Sequence, residues 1–274
     1  VLDDWQHDAT RRAKAALIST TVPNAARVWD YLIGGRNNFE IDRQAARTMA
    51  AAPVMATTAL AARAFQQRVV RYLTAEAGVT QFLDIGAGLA MSGSTHEIAQ
   101  SIVPRSRVVY VDNDPVVLSH ARALLKSAPG GGCGYLDCDV RDVPAIVFAA
   151  RATLDFGQPI AVMLANTLAF ASDGTVAVAV SALKEAVPPG SYVAISHLAS
   201  DADPDVRTAI QVWNSLSAQR LTLRSRAEAG GLVSGLDLVP PGLVPVSRWG
   251  QETAAQRGEP EVPMYGVVAR KPVN

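Results

Sequence analysis

The feature that constrains this chain most is a regular alternation that begins near residue 78. Five short apolar runs read as buried strands: Gln81–Ile85, Arg107–Val111, Gly134–Leu136, Ile160–Ala165 and Tyr192–Ser196. Between them lie segments with helical spacing. Ser94-Thr95-His96-Glu97 has the capping-box pattern ahead of Ile98, Ala99 and Ile102, in which serine and glutamate satisfy each other's free backbone N–H. Asp114-Pro115 and Asp203-Pro204 each place a capping acid before a proline at the first helical position, where no N–H is needed. Strands alternating with helices bury both faces of a sheet only when it is mostly parallel and covered on each side. The sequence therefore predicts an α/β, doubly wound fold. Leu236–Val239 and Met264–Ala269 read as a closing strand pair, with the Pro- and Gly-rich stretch Pro240–Gly258 as a loop between them.

Upstream, the periodicity is helical throughout. Phe65, Val69, Tyr72 and Leu73 share one helix face, and Gly78 is placed to end that helix. Asn24–Ile33 reads as another helix, stopped by Gly34-Gly35, since glycine relieves the left-handed strain just past a helix. By pattern the chain divides into a helical cap, residues 1–78, and a sheet domain, residues 79–274. Late in the chain, the stretch around Arg220, Arg224 and Arg226 reads as a basic, solvated helix.

Composition narrows the function classes. The 274 residues are 49% hydrophobic and 18% charged, which suits a sizeable core. The 25 Lys+Arg balance 25 Asp+Glu with no run of like charge, which argues against a nucleic-acid partner. No apolar run reaches the roughly 18 residues of a membrane span. The first seventeen residues start acidic and lack the apolar core of a secretory signal. Two cysteines, Cys133 and Cys138, are too few for a disulfide framework and read as free thiols of a reducing compartment. The expectation is a cytoplasmic protein without a membrane contact or a metal site.

The most informative segment is Phe82-Leu83-Asp84-Ile85-Gly86-Ala87-Gly88: a strand, an acid near its end, and a glycine turn. In doubly wound sheets, ligands bind outside the carboxyl ends of the strands. Glycines there either admit a ligand close to the backbone or serve the turn alone, and both readings stay open. The next strand ends in Asp112, 24 residues after Gly88, where an acid accepts from both hydroxyls of a ribose. The third is followed by Asp139-Val140, an acid for an adenine amino group and a backbone N–H for a ring nitrogen. Any one of these acids could be a helix cap; three successive strand ends together suit one adenosine. A dinucleotide fingerprint would need a third glycine where this chain has Met91, and Asp84 would repel a pyrophosphate. Both departures favour the cationic S-adenosylmethionine and disfavour a nicotinamide oxidoreductase.

At these residues the chain resembles an actinobacterial family of S-adenosylmethionine-dependent methyltransferases, long catalogued as a domain of unknown function. The likeness runs through Ala26–Arg43, Phe82–Gln100, Val108–Ala121, Gly190–His197 and Gly235–Val246. It implies a class I methyltransferase, a Rossmann-like seven-stranded sheet with an N-terminal helical cap. It implies that Asp84, Gly86 and Gly88 line the methionine end and ribose, that Asp112 with Asn113 holds the ribose, and that Asp139 and Val140 bracket the adenine. The N-terminal motif would supply Arg27, Tyr31, Gly34, Gly35, Arg36 and Asn38 as a lid, with Arg27 or Arg36 on the ligand carboxylate. The other reading of that motif is helix packing with solvated arginines. This chain departs from the family's G-L-P-T at Ala90-Met91 and from its L-H-F at Ala169.

Methyl transfer is an in-line displacement, so positioning comes first and a base is needed only for a poor nucleophile. His197 at the fifth strand end is the candidate base, or else a histidine bonded to backbone. Asn166 at the fourth strand end is the candidate orienting group, or else a turn cap. Trp213, Trp249 and Tyr265 line an acceptor pocket or belong to the core. The expected function is methylation of a small molecule of secondary metabolism. The altered Ala90 and Ala169 leave open a protein that binds the cofactor for a cyclisation or elimination, or senses it. The expected partners are the small-molecule substrate and a second copy in a homodimer.

Overall fold

The computed structural model describes residues 20–49, 54–89, 93–124, 126–250 and 260–273. The readings made on the first seventeen residues, on Ala90-Met91 and on most of the loop after Gly250 lie outside them. Three helices open the described chain: α1 (Ala25–Leu32), α2 (Glu40–Met49) and α3 (Val54–Ala75). The alternating part follows as β1 (Gln81–Ile85), α4 (Thr95–Ile102), β2 (Arg107–Asp112), α5 (Pro115–Leu124), β3 (Gly132–Asp137), α6 (Val143–Ala150), β4 (Ala161–Ala165), α7 (Asp173–Ala186) and β5 (Tyr192–Leu198). It closes with α8 (Pro204–Leu216), α9 (Arg226–Gly231), β6 (Asp237–Leu238), β7 (Val244–Pro245) and β8 (Met264–Arg270).

The strands lie in the order β3-β2-β1-β4-β5-β8-β6, with β7 also on β8. β1 to β5 are parallel; Leu83 stands between Val109 of β2 and Val162 of β4. β8 runs antiparallel to β5, with Ile195 opposite Val267. The expected seven-stranded sheet is thus seven strands wide but holds eight among the described residues. β6 and β7 lie end to end along one edge of β8, pairing Leu238 with Ala269 and Val244 with Gly266. Pro240-Pro241 falls between them, and proline has no N–H to give a ladder.

Strand alternation divides the core. Phe82, Val108 and Met163 pack with α1–α4 and α8 on one face, while Leu83, Ile85, Val109 and Val162 pack with α6 and α7 on the other. The N-terminal helices therefore share a core with the sheet: Phe65, Val69 and Leu73 are buried, as their spacing predicts. Among the described residues, no helix is long and apolar enough to cross a membrane.

The predicted caps form. Ser94 and Glu97 make the capping box, Asp114 Oδ1 accepts from Val116 N at 2.7 Å, and Asp203 Oδ1 accepts from Asp205 N at 2.8 Å. The expected basic helix around Arg220 and Arg224 does not form. α8 ends at Leu216 and α9 begins at Arg226. The segment between them crosses back over the sheet, with Arg224 bridged to Ala199. The reason is Arg224 itself, which is buried among acceptors and so cannot sit on a solvated face.

Candidate functional site

The strand order reverses between β1 and β4, and their outward connections leave a crevice at the carboxyl ends. A cleft of about 560 Å³ occupies it, within the usual range of small-molecule sites. Its first half is made by the turns after β1, β2 and β3. Gly86 holds φ +74°, and its N donates to Val111 O at 2.8 Å, folding the turn back over β2. A Cβ at Gly86 would overlap the Thr167 hydroxyl, which itself donates to Ile85 O at 2.9 Å. Only glycine fits there, for backbone reach and for packing together.

Asp112 stands on the cleft wall with both oxygens engaged by backbone: Oδ2 accepts from Gly88 N at 3.1 Å and Oδ1 from Asp114 N at 2.9 Å. A carboxylate has about four acceptor sites, so capacity for two hydroxyls remains. Burial pushes its pKa up to about 6. Asn113 and Asp139 are brought together, Nδ2 donating to Oδ2 at 3.0 Å. Asp139 also takes three hydrogen bonds from Arg141, whose guanidinium holds it below the usual carboxylate range. Val140 lines the same wall. Asp84 lies deeper, 1% exposed, in a small recess that shares Arg63, Gln66 and Gly88 with the cleft. Its Oδ2 accepts from Thr95 Oγ1 at 2.6 Å and from Gln66 Nε2 at 3.2 Å; Oδ1 has no hydrogen-bond partner. Burial raises its pKa to about 6, against those two donors and the nearby Arg63.

The N-terminal motif folds around an acid that the sequence reading passed over. Asp30, 2% exposed and on the cleft wall, accepts at Oδ2 from Asn37 N and from Asn38 Nδ2, both at 2.8 Å. Its backbone O accepts from Gly35 N at 2.7 Å, and a Cβ on Gly35 would strike its carboxylate. Gly34, at φ +84°, turns the chain off α1. Arg27 is corrected to a structural role. It is buried, donates from Nε to Asp42 Oδ2 at 2.7 Å, lies over Phe39 and is absent from the cleft wall. Tyr31, Gly34, Gly35, Arg36 and Asn38 are also off the wall. The helix turns them away, because residues 26, 29, 30 and 33 share the face that meets the cleft. The start of α1 nevertheless spans the opening. Asn24 Nδ2 donates to Asp114 Oδ2, and Ala25 N donates to Gln219 Oε1 at 3.1 Å.

The second half of the cleft is built from Trp29, Asp30 and Ile33 of α1, from Asn166, Thr167, Phe170 and Ala171 after β4, from Ser196 of β5, and from residues 218–220. Asn166 takes a left-handed φ of 57° and lines the wall; its Oδ1 accepts from Leu198 N of β5 at 3.3 Å, and its side chain makes no cap bond to the 3-10 turn that follows. His197 is corrected: it is not a base at this site. It points to the opposite side of β5 from Ser196, Nδ1 bonds Leu198 O at 2.9 Å, and Nε2 accepts from Arg224. Burial, with the Arg224 charge beside it, lowers its pKa to about 4. Arg224, 2% exposed, also donates to Leu168 O, Ala171 O and Asp173, and so ties the 3-10 turn Thr167–Phe170 to β5. Ala169 is fully buried and does not shape the mouth. Trp213 and Trp249 are core residues, and Tyr265 bonds Asp201 away from the cleft. His96 belongs to a buried network with Ser94 and Tyr110.

Comparison with known proteins agrees with this geometry. The family described as S-adenosyl methyltransferase matches residues 11–272. A DUF574 family protein from Streptomyces avermitilis superposes with a TM-score of 0.88 at 38% identity, over 92% of this chain and 99% of its own. A Thermobifida fusca protein provisionally named a methyltransferase gives 0.85 at 35%, over 92% and 96%. The mitomycin 7-O-methyltransferase MmcR, at 17% identity and a TM-score of 0.52 over 97% of this chain and 68% of its own, shares the fold alone. No curated protein matches. The class I sheet, the strand-end cleft and a family match over nearly the whole length lead to one conclusion: the chain belongs to the S-adenosyl methyltransferase family, with S-adenosylmethionine as its cofactor.

Proposed function

We propose that the strand-end cleft binds S-adenosylmethionine in its first half and methylates a small-molecule acceptor, a secondary metabolite, held in its second half. The observation that carries this reading is the single cleft wall on which Gly86, Gly88, Asp112, Asn113, Asp139 and Val140 meet. These residues fit the group. Gly86 lets a ligand reach the backbone, Asp112 keeps lone pairs for ribose hydroxyls, and Asp84 Oδ1 is a buried acceptor without a donor at the recess. Asp139 and Val140 would hold the adenine, with Arg141, whose side chain is exposed, as the group that gives way.

When bound, S-adenosylmethionine supplies an electrophilic methyl group on a sulfonium. The chain's part is positioning and water exclusion. The bridge from Asn24 to Asp114 and from Ala25 to Gln219 closes the opening like a lid. Asn166 presents an amide to an acceptor; Ser196 lines the wall beside it, with a buried Oγ that has no hydrogen-bond partner among the described residues. Among the described wall residues there is no histidine, lysine or tyrosine.

Calorimetry with S-adenosylhomocysteine tests the cofactor half. One site per chain is expected. Asp112→Ala should weaken binding by about 1–3 kcal/mol, the cost of unpaired hydroxyls. Unchanged affinity takes Asp112 out of the pocket, and tight binding of NAD instead overturns the reading. Transfer of a labelled methyl group to candidate acceptors tests the second half.

A further inference from the structure

We propose that the acceptor is a flat aromatic molecule carrying an acidic group, its rings taken between Trp29 and Phe170 and its anion taken by Arg220. The inference rests on the division of the cleft given above and deepens it. The second half has an apolar part, the buried Asp30 carboxylate held by Asn37 N and Asn38 Nδ2, and one cation, Arg220, at its mouth. Trp29 is half-buried on α1, with Ile33 one turn on, and Phe170 is 41% exposed at the end of the 3-10 turn. An exposed phenylalanine on the wall of a cleft is a surface that a planar ligand can cover.

The charges on the wall are not equivalent. Asp112 and Asp114 each hold backbone N–H groups, and Asp139 is paired with Arg141. Arg63 is half-buried beside Asp84 and hydrogen-bonds Gln66. Arg220 differs: it is exposed, lines the cleft, and makes no hydrogen bond or ion pair among the described residues. Its segment is nevertheless fixed. Gln219 N donates to Ser217 Oγ at 3.1 Å, Gln219 O accepts from Trp213 Nε1 at 2.5 Å, and Gln219 Oε1 receives Ala25 N. A guanidinium on an anchored segment, free of any carboxylate, matches a planar anion such as a carboxylate by its fork of donors.

The test uses the whole chain saturated with S-adenosylhomocysteine, so that the first half is filled, and two probes of the same plane and size. 2-Naphthoate carries the charge and 2-naphthamide does not. By calorimetry, the naphthoate should bind at one saturable site at least tenfold more tightly than the amide. Arg220→Gln should erase that preference while leaving S-adenosylhomocysteine affinity within twofold, and Arg220→Lys should restore part of it. Phe170→Ala should weaken both probes alike. Equal affinity for the two probes, no saturable binding of either, or a preference that survives Arg220→Gln overturns the proposal. Failure of S-adenosylhomocysteine to bind the unaltered chain is a separate result, and it is the cofactor reading that then falls, taking this one with it.

Discussion

The two halves of the cleft are made in different ways. The first half consists of three consecutive strand ends, each a few residues long: Gly86–Leu89, Val111–Asp114 and Cys138–Arg141. Its acids are held mostly by neighbours close in sequence, as Asp112 is by Asp114 N and Asp139 by Arg141. The second half gathers residues 24–33, 165–171, 196 and 218–220, and is held by contacts between distant parts of the chain. Arg224 reaches Leu168 across 56 residues and Gln219 meets Ala25 across 194. A site made of local turns can be copied onto many chains, whereas one made of distant contacts varies with every loop. That is the physical reason a shared cofactor half accompanies diverse acceptors on such sheets.

Gly86 is where the halves touch, so its substitution should do most to break the distinction. Gly86→Ala puts a side chain at φ +74° and into the Thr167 hydroxyl. A loss of about 4 kcal/mol in stability is expected from strain and overpacking together. Adding Thr167→Gly should recover the packing share and leave the backbone share, a split that denaturant unfolding can read. Full recovery would mean that φ carries no cost there.

Arg224→Met removes the cation that holds the acceptor wall. It leaves Leu168 O, Ala171 O and the His197 ring without their donor, and about 3 kcal/mol of stability should go. Amide exchange should rise at residues 168–171, while the affinity of the folded protein for S-adenosylhomocysteine stays within about twofold. A large loss of that affinity would show that the halves are coupled.

The halves also answer acid with opposite sign. The folded pKa of His197 is lowered to about 4, so its contribution is whole above about 6.5 and is lost as the pH falls from there toward 4. The folded pKa values of Asp84 and Asp112 are raised to about 6, so those groups bind protons more tightly when folded, and stability is gained as the pH falls from about 6 to 4. Between pH 6.5 and 4, His197→Gln should therefore remove a loss on the order of 3 kcal/mol. Parallel unfolding curves for the two proteins over that range would place the titration elsewhere.

The smallest effect is expected at the bridge over the opening. Asn24→Ala deletes the cap of α1, where Oδ1 accepts from Ala26 N and Arg27 N, and the link to Asp114. About 1 kcal/mol of stability should be lost. If the bridge is a lid, release of S-adenosylhomocysteine should also quicken in stopped flow. An unchanged release rate would leave Asn24 a cap and nothing more.

Much of the first half was legible in the residues. Asp112 follows from a strand end, a glycine turn and a fixed separation, all read along the chain. The caps at Ser94, Asp114 and Asp203 were equally local. The second half was not legible, and three residues show why. Arg27 and Arg220 are both arginines, yet among the described residues Asp42 claims the first and no group claims the second. His197 and Ser196 are adjacent on β5, and the one-residue difference puts Ser196 on the side of the cleft and the imidazole against Arg224. Asp30 sat inside the quoted motif, but its partners Asn37 and Asn38 are reached only after the chain turns at Gly34.

The sequence by itself determined the alternating sheet, the places of its first five strands, the helix caps and the three strand ends proposed here for the adenosine. Each of these depends on periodicity or on groups a few residues apart, which covalent geometry brings together in any context. Only the tertiary structure decided which cation is buried, which is left at the mouth, and which side of β5 faces the cleft. Those outcomes depend on where distant segments pack, and on the high cost of burying a charge without acceptors. Arg224 is inside because four acceptors from separate segments converge on it, and no window of the sequence contains them all.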